Sequence, residues 1–95
     1  MPTVADLVSE ETLWELAEER AYHEGYGLAP VVQLIRFAPL VVTAEIGTSA
    51  LYVELTVTGG ELRWFCTCPA GRAGLFCSHC VATALIACRR APATS

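Results

Sequence analysis

The sequence contains no lysine, and all six of its basic residues are arginines. Ten acidic residues bring the formal net charge to −4. Strong sequence-independent binding to DNA requires a dense surface of cations that neutralise phosphates, which this composition does not supply. Long apolar runs are also missing, since stretches such as residues 37–42 are far below the roughly 20 residues that span a bilayer. We therefore expect no membrane partner and no strong autonomous binding to DNA.

The sequence also lacks the signals of export and of common catalytic sites. Residues 1–12 contain Asp6, Glu10 and Glu11 and no basic residue, unlike a secretory or mitochondrial leader. No Ser/His/Asp order, Gly-rich phosphate loop or paired-carboxylate pattern stands out. We expect a soluble, cytoplasmic protein that is not an enzyme.

The length of 95 residues predicts one domain, over residues 1–95. Hydrophobic residues make up 54% of the chain and charged residues 17%, which is too apolar for a disordered segment. A chain of this length buries only about 60–65% of the surface that its unfolded form exposes. The core is therefore thin, and a covalent or metal cross-link would stabilise it.

Charge is distributed unevenly along the chain. Residues 1–24 hold seven acidic residues and one basic residue, Arg20. Residues 61–95 hold one acidic residue, Glu61, and four basic ones: Arg63, Arg72, Arg89 and Arg90. These four arginines are candidate contacts for a nucleic acid or another partner, although solvated arginines with a helix-end role explain them equally well.

Hydrophobic periodicity predicts a helix near the N-terminus. Leu13 and Leu16 belong to a set of apolar residues at helical spacing. The acidic residues of the same segment are expected to face water. We expect one acidic amphipathic helix over about residues 9–24. Ser9 fits its N-cap and Gly25 its stop.

The rest of the chain predicts a sheet followed by a second helix. Alternating apolar and polar residues, separated by turn residues, indicate four strands of an antiparallel β meander within about residues 31–66. Residues 78–90 form the second helix, with a core face of Val81, Ala84, Leu85 and Cys88. The predicted fold class is therefore α+β. We also expect a zinc ion to anchor the C-terminal helix.

All five cysteines lie in the last third of the chain: Cys66, Cys68, Cys77, Cys80 and Cys88. A secreted disulfide scaffold usually has an even number of cysteines spread along the chain. Tight C-x-C and C-x-x-C spacings are more typical of metal ligation. Cys66 and Cys68 point the same way at a strand end, and Cys77 and His79 arrive at the start of the second helix.

Two ligand sets agree with this spacing. Cys66, Cys68 and Cys77 can be joined by His79, or by Cys80, which lies on the same helical face as Cys77. Either set suits one tetrahedral Zn²⁺. Because four protein ligands leave no open position, we expect a structural ion and no hydrolytic role for it.

The zinc motif over residues 64–86 resembles the SWIM zinc finger, in which C-x-C is followed by a variable loop, C-x-H and an apolar helix. The residues that carry the resemblance are 64–71, which read Trp-Phe-Cys-Thr-Cys-Pro-Ala-Gly, and 74–85, which begin Gly-Leu-Phe-Cys-Ser-His-Cys. Weaker similarity to bacterial relatives extends upstream. The resemblance implies a single SWIM-type domain with the ligands Cys66, Cys68, Cys77 and His79, and with Cys80 packed beside them.

Three functions remain on this basis. The resemblance implies an interaction module that binds protein or nucleic acid. Cys80 beside the site suggests a thiol-based redox or zinc sensor as the alternative, and the closed ligand set disfavours an enzyme. The acidic helix favours a partner protein or a larger assembly, with nucleic acid bound only weakly by the isolated chain. Of the aromatic residues beside the site, Trp64 and Phe65, we expect one ring in the core and the other over the site.

Overall fold

Four antiparallel strands form a meander in the order β1-β2-β3-β4. The computed structural model describes residues 3–8, 10–47 and 51–90. The strands are β1 (Val32–Ala38), β2 (Val41–Ile46), β3 (Leu51–Thr58) and β4 (Glu61–Cys66). Between β3 and β4, Gly59 and Gly60 have φ values of 60° and 81°, as a two-residue hairpin loop requires. The meander predicted within residues 31–66 is confirmed.

Helices precede and follow the sheet, which confirms the α+β class. In the described part of the chain they are α1 (Val4–Leu7), α2 (Glu10–Leu16), α3 (Glu19–Leu28), α4 (Pro69–Arg72) and α5 (Ser78–Arg90). A 3-10 turn over Ala29–Val31 leads from α3 into β1. The second helix predicted over residues 78–90 is confirmed as α5. None of the helices in the described ranges has the length and apolarity needed to cross a membrane.

The single acidic helix predicted over residues 9–24 is wrong, because the chain breaks it into α2 and α3. Glu18 adopts an extended conformation, with φ −67° and ψ 154°. Leu13 and Tyr22 are both buried, yet they are nine residues apart, about two and a half helical turns. One continuous helix would place them on opposite faces, and the break lets both enter the core. The predicted N-cap, Ser9, lies outside the described residues.

Helix α5 lies between helices α1–α3 and the sheet. It contacts α1, α2 and α3 on one side and all four strands on the other. All residues from 80 to 85 are buried, as expected of a helix that is surrounded by packing. The one hydroxyl among them, that of Thr83, donates a hydrogen bond to the His79 carbonyl oxygen at 3.0 Å.

The predicted core face of α5 is correct except at its end. Val81, Ala84 and Leu85 are buried, but Cys88 is exposed. Residues 88–90 are all exposed, so the last turn of α5 has left the core and helical spacing no longer determines burial there. Ala87 is the last buried residue of the helix.

Gly25 does not end a helix, as the sequence had suggested, but lies inside α3 at its closest approach to α5. A Cβ atom at this position would overlap the Val81 side chain and lie 3.0 Å from the Ser78 carbonyl oxygen. Gly27 is an internal control in the same helix, since a Cβ there would meet no atom of the described chain within 4 Å. The absence of a side chain at Gly25 therefore sets the distance between α3 and α5.

We expect Gly25→Ala to lower the free energy of unfolding by about 1–3 kcal/mol, because the added methyl group overpacks the helix contact. Gly27→Ala should raise it by about 0.5–1 kcal/mol, since alanine is the better helix former. Urea denaturation of the two variants beside the parent protein measures both changes. Equal effects of the two substitutions would contradict the close packing of α3 against α5.

Candidate metal centre

Four side chains that could hold a metal ion converge beside the start of α5. They are Cys66, Cys68, Cys77 and His79, and their ligand atoms all lie within 4.8 Å of one another. The Cys77 sulfur and the His79 Nδ1 atom are 3.7 Å apart. Ligands of a tetrahedral ion at about 2.0–2.3 Å lie roughly 3.3–3.8 Å from each other. The cluster could therefore bind a metal ion after small side-chain shifts.

Two short segments, joined by the loop over residues 69–76, bring these ligands together. Cys66 ends β4, and Cys68 follows it as the N-cap of α4, where its sulfur accepts a hydrogen bond from the Gly71 backbone N–H at 3.2 Å. Cys77 directly precedes α5, and His79 lies in its first turn. The three cysteines are buried and His79 is partly buried, so a bound ion would be shielded from water on most sides.

A tight loop between the two segments depends on a glycine. A Cβ atom at Gly71 would overlap the Cys66 side chain and lie 2.7 Å from the Cys66 carbonyl oxygen. The Arg72 side chain closes the loop from outside, where its Nε–H donates to the Thr67 carbonyl oxygen at 3.0 Å. The short helix α4 can therefore fold back onto the end of β4 only with glycine at position 71.

Aromatic packing holds the far side of this loop. The Trp64 ring packs edge-on against Phe76 with centroids 5.2 Å apart, and its Nε1–H donates to the Gly74 carbonyl oxygen at 3.2 Å. Phe65 points to the opposite face of the sheet and is 46% exposed. The expectation of one ring in the core is met only in part, because Trp64 packs against the core but is half-buried. Trp64 does cover the loop that carries the site.

The protonation of the cluster centres on Cys77. Hydrogen bonds with the thiols of Cys66 and Cys80 lower the pKa of Cys77. The same hydrogen bonds raise the pKa of Cys66 and of Cys80, and burial raises both further. Since metal ions bind the thiolate form, Cys77 is the sulfur best prepared to receive a cation.

Cys80 lies beside the four converging side chains without belonging to their group. Its side chain is fully buried, and its sulfur lies 3.7 Å from that of Cys77. The group whose ligand atoms all lie within 4.8 Å of one another consists of Cys66, Cys68, Cys77 and His79. The geometry therefore favours three sulfurs and one nitrogen over four sulfurs.

The four candidate contact arginines do not surround the site. Arg63 is exposed on β4, with its Nη2 atom 3.9 Å from a Glu61 carboxylate oxygen. Arg72 flanks the loop, as described above. Arg89 and Arg90 occupy the exposed last turn of α5, and the ten residues from His79 to Arg89 correspond to about 15 Å along the helix axis. The expected basic surface at the metal end thus consists of Arg63 and Arg72 only.

A groove of about 510 Å³ runs past the cluster, between α2 and α3 on one side and residues 68–79 on the other. Cys68, Cys77 and His79 line it together with Glu18 and Glu24. Its apolar lining residues are Leu16, Ala21, Pro69, Ala70, Leu75 and Phe76. The sequence predicts only that these acidic residues face water. No sequence pattern links residues 18–24 with residues 68–79, since the packing of α3 on α5 alone brings them together.

Comparison with known proteins adds no further support. No family model, curated protein or solved structure matches the chain. The resemblance to the SWIM zinc finger is therefore neither supported nor contradicted. The capacity to bind a metal rests on the geometry of the Cys/His cluster.

We expect His79→Ala to lose the bound metal and Cys80→Ala to keep it. The first substitution removes one of four converging ligand atoms, whereas the second removes a packed side chain of small volume and should cost only modest stability. X-ray absorption at the metal edge should report three sulfur neighbours and one nitrogen neighbour. A four-sulfur shell, or metal loss in the Cys80 variant alone, would reverse the ligand assignment.

Proposed function

We propose that the protein is a SWIM-type interaction module whose fold is held by one structural zinc ion. The observation that supports this proposal is the convergence of Cys66, Cys68, Cys77 and His79, with all four ligand atoms within 4.8 Å. Three thiolates and one imidazole form a set typical of structural zinc sites. The resemblance of residues 64–86 to the SWIM zinc finger adds the expectation of a binding role.

The proposed ion is structural rather than catalytic. Four protein ligands fill a tetrahedral coordination shell, whereas catalytic zinc sites keep one position for water or substrate. The thiolate ligands must stay reduced to bind the ion, and cytosolic proteins keep their thiols in that state. We therefore propose a non-enzymatic, cytoplasmic protein.

The ion would link the two segments that the fold brings together. One ligand pair lies at the end of β4 and the other at the start of α5, so the metal would fasten the central helix to the edge of the sheet. Zinc binding to structural sites of small domains has an apparent free energy of about 10–16 kcal/mol at neutral pH, which is coupled to folding. This contribution is large compared with what a thin core supplies.

We expect the purified protein to contain close to one equivalent of zinc, and its folding to depend on that ion. Strong chelation should abolish the cooperative thermal transition, because the free energy of metal binding is coupled to folding and is lost with the ion. Cys88→Ala provides the matched control, since Cys88 is an exposed cysteine outside the group and should leave zinc content unchanged. A protein without metal whose melting curve equals that of the zinc-loaded form would overturn the proposal.

A partner protein fits the groove beside the site better than a nucleic acid does. Among the described residues that line the groove, the one arginine is Arg20, which is paired with Glu24 at 3.3 Å. The charge of Glu18 therefore makes the lining acidic. A zinc ion with three thiolates and a neutral imidazole adds one further negative charge to this wall. We propose that the groove accepts a protein segment with both positively charged and apolar side chains.

Nucleic-acid binding by the isolated chain should be weak and strongly salt-dependent. If all four candidate arginines acted together, the slope of log affinity against log salt on duplex DNA would be about −3.6. Of these four candidates, only Arg63 and Arg72 lie near the metal end, and contacts made by these two alone would give a slope of about −1.8.

Titration of labelled single- and double-stranded oligonucleotides across salt concentrations measures this slope. Substituting Arg63 by Gln should weaken any binding at the metal end, and substituting Arg89 and Arg90 by Gln serves as the control at the opposite end of α5. Tight binding at high salt that persists after replacement of all four arginines would show that the functional surface lies elsewhere.

A further inference from the structure

Cys80 is a buried thiol that the proposed metal site does not use. Its sulfur lies 3.7 Å from that of Cys77, and both residues are free cysteines. Residues 77–80 read Cys-Ser-His-Cys at the start of α5. A proposed metal ligand and a spare thiol are therefore held in contact by the first turn of one helix.

This arrangement meets the geometric needs of a disulfide. Residues three apart at the start of a helix have Cα atoms about 5 Å apart, within the usual disulfide range of roughly 4.4–6.8 Å. The two sulfurs must close from 3.7 Å to about 2.05 Å. Rotation of the two side chains can supply most of that movement, so the helix need not unwind.

The geometry points to a reversible redox pair, in which a peroxide joins Cys77 to Cys80 and thereby releases the metal. This inference rests on the proposed metal site, because Cys77 must be a ligand for its oxidation to remove the ion. The inferred pair would make the zinc content of the protein respond to hydrogen peroxide, which is the oxidant.

The chemical steps balance with hydrogen peroxide alone. The Cys77 thiolate attacks one peroxide oxygen, the O–O bond breaks, and the products are a sulfenic acid and hydroxide. The Cys80 sulfur then attacks the Cys77 sulfur and forms the S–S bond. The sulfenic OH group takes the proton of the Cys80 thiol and leaves as water. The two cysteines lose two electrons and the peroxide gains them.

Position in the fold distinguishes the roles of the two residues. Cys77 lines the groove of about 510 Å³, so a small oxidant in the groove would meet this residue. Cys80 is fully buried behind it and is not among the groove residues. Because Cys80 does not ligate the ion in the proposed site, it can resolve the sulfenic acid without breaking a second metal bond, whereas Cys66 or Cys68 would have to leave the metal.

Loss of Cys77 leaves three ligands, Cys66, Cys68 and His79. His79 lies between the two bridged residues, so closure of the disulfide also disturbs its position. We expect the zinc affinity to fall by at least about 100-fold, since altering even the supporting contacts of a metal ligand costs about 10–100-fold. A dithiol reductant should reverse the disulfide and restore metal binding.

Trypsin cleavage after arginine provides a direct map of the disulfide. Cleavage at Arg63, Arg72 and Arg89 separates residues 64–72, which contain Cys66 and Cys68, from residues 73–89, which contain the other three cysteines. The zinc-loaded protein is treated with one equivalent of hydrogen peroxide, its remaining thiols are alkylated, and the peptides are analysed by mass spectrometry. The experiment uses the Cys88→Ala background, so that peptide 73–89 can form only the Cys77–Cys80 bond.

We expect peptide 73–89 to lose two hydrogens and to stay unlinked to peptide 64–72. Zinc release, followed with a chromogenic chelator, should accompany this change in proportion and reverse with dithiothreitol. Adding Cys80→Ala to the same background should abolish the reversible release, while the Cys88→Ala parent should behave like the natural sequence. A cross-link between the two peptides, or equal reversible release without Cys80, would overturn the inference.

Failure of this inference can be told apart from failure of the metal site. Zinc content is measured before oxidation, and a protein without zinc contradicts the proposed function and the release step together. If one equivalent of zinc is present and peroxide leaves Cys77 and Cys80 unbridged, the metal site stands and the redox pair is rejected. The peptide map does not depend on the folding of any Cys80 variant.

Discussion

The burial of helix α5 between the sheet and helices α1–α3 is the constraint on which the rest of the structure depends. A helix surrounded by packing must have small or apolar side chains on every side, and residues 80–85 meet this condition, with the Thr83 hydroxyl satisfied by its own helix. Its neighbours then adapt to it: α3 comes close through Gly25, and α2 separates from α3 so that Leu13 and Tyr22 both reach the core. The first turn of α5, and with it the candidate metal centre, is held by the same packing.

The loop between Cys68 and Cys77 is shaped by residues that are not candidate metal ligands. Gly71 allows α4 to fold onto the end of β4, and Trp64 fixes the loop through Phe76 and the Gly74 carbonyl group. Cys66 and Cys68 thereby lie against the start of α5 in the folded chain. These contacts and a bound ion would stabilise the same arrangement of the loop, because metal binding is coupled to folding.

Charge and sulfur chemistry meet on one side of this loop. One wall of the groove, formed by α2 and α3 and the residues between them, carries Glu18 and Glu24. The opposite wall carries three of the four cluster residues. An acidic groove disfavours phosphate and favours a basic partner. Beneath the groove, Cys80 lies within contact distance of Cys77, so the redox state of one residue pair would determine both the metal content and the shape of the wall that a partner meets.

The sequence alone was sufficient for the α+β class, the meander within residues 31–66, helix α5 and the set of residues from which the metal cluster is drawn. These features depend on local periodicity, on turn residues and on short cysteine spacings. All three can be read from the sequence without knowing which elements pack together. Tertiary structure alone decided the break between α2 and α3, the exposure of Cys88, the separation of Arg89 and Arg90 from the metal end, and the acidic groove. Each of these depends on which surfaces meet α5. The groove that residues 18–24 and 68–79 line together leaves no pattern in a single sequence. Spacing alone leaves His79 and Cys80 as alternatives, because both lie at the start of one helix. The resemblance to the SWIM zinc finger implies His79, and the ligand atom of His79 is the one that converges with those of Cys66, Cys68 and Cys77.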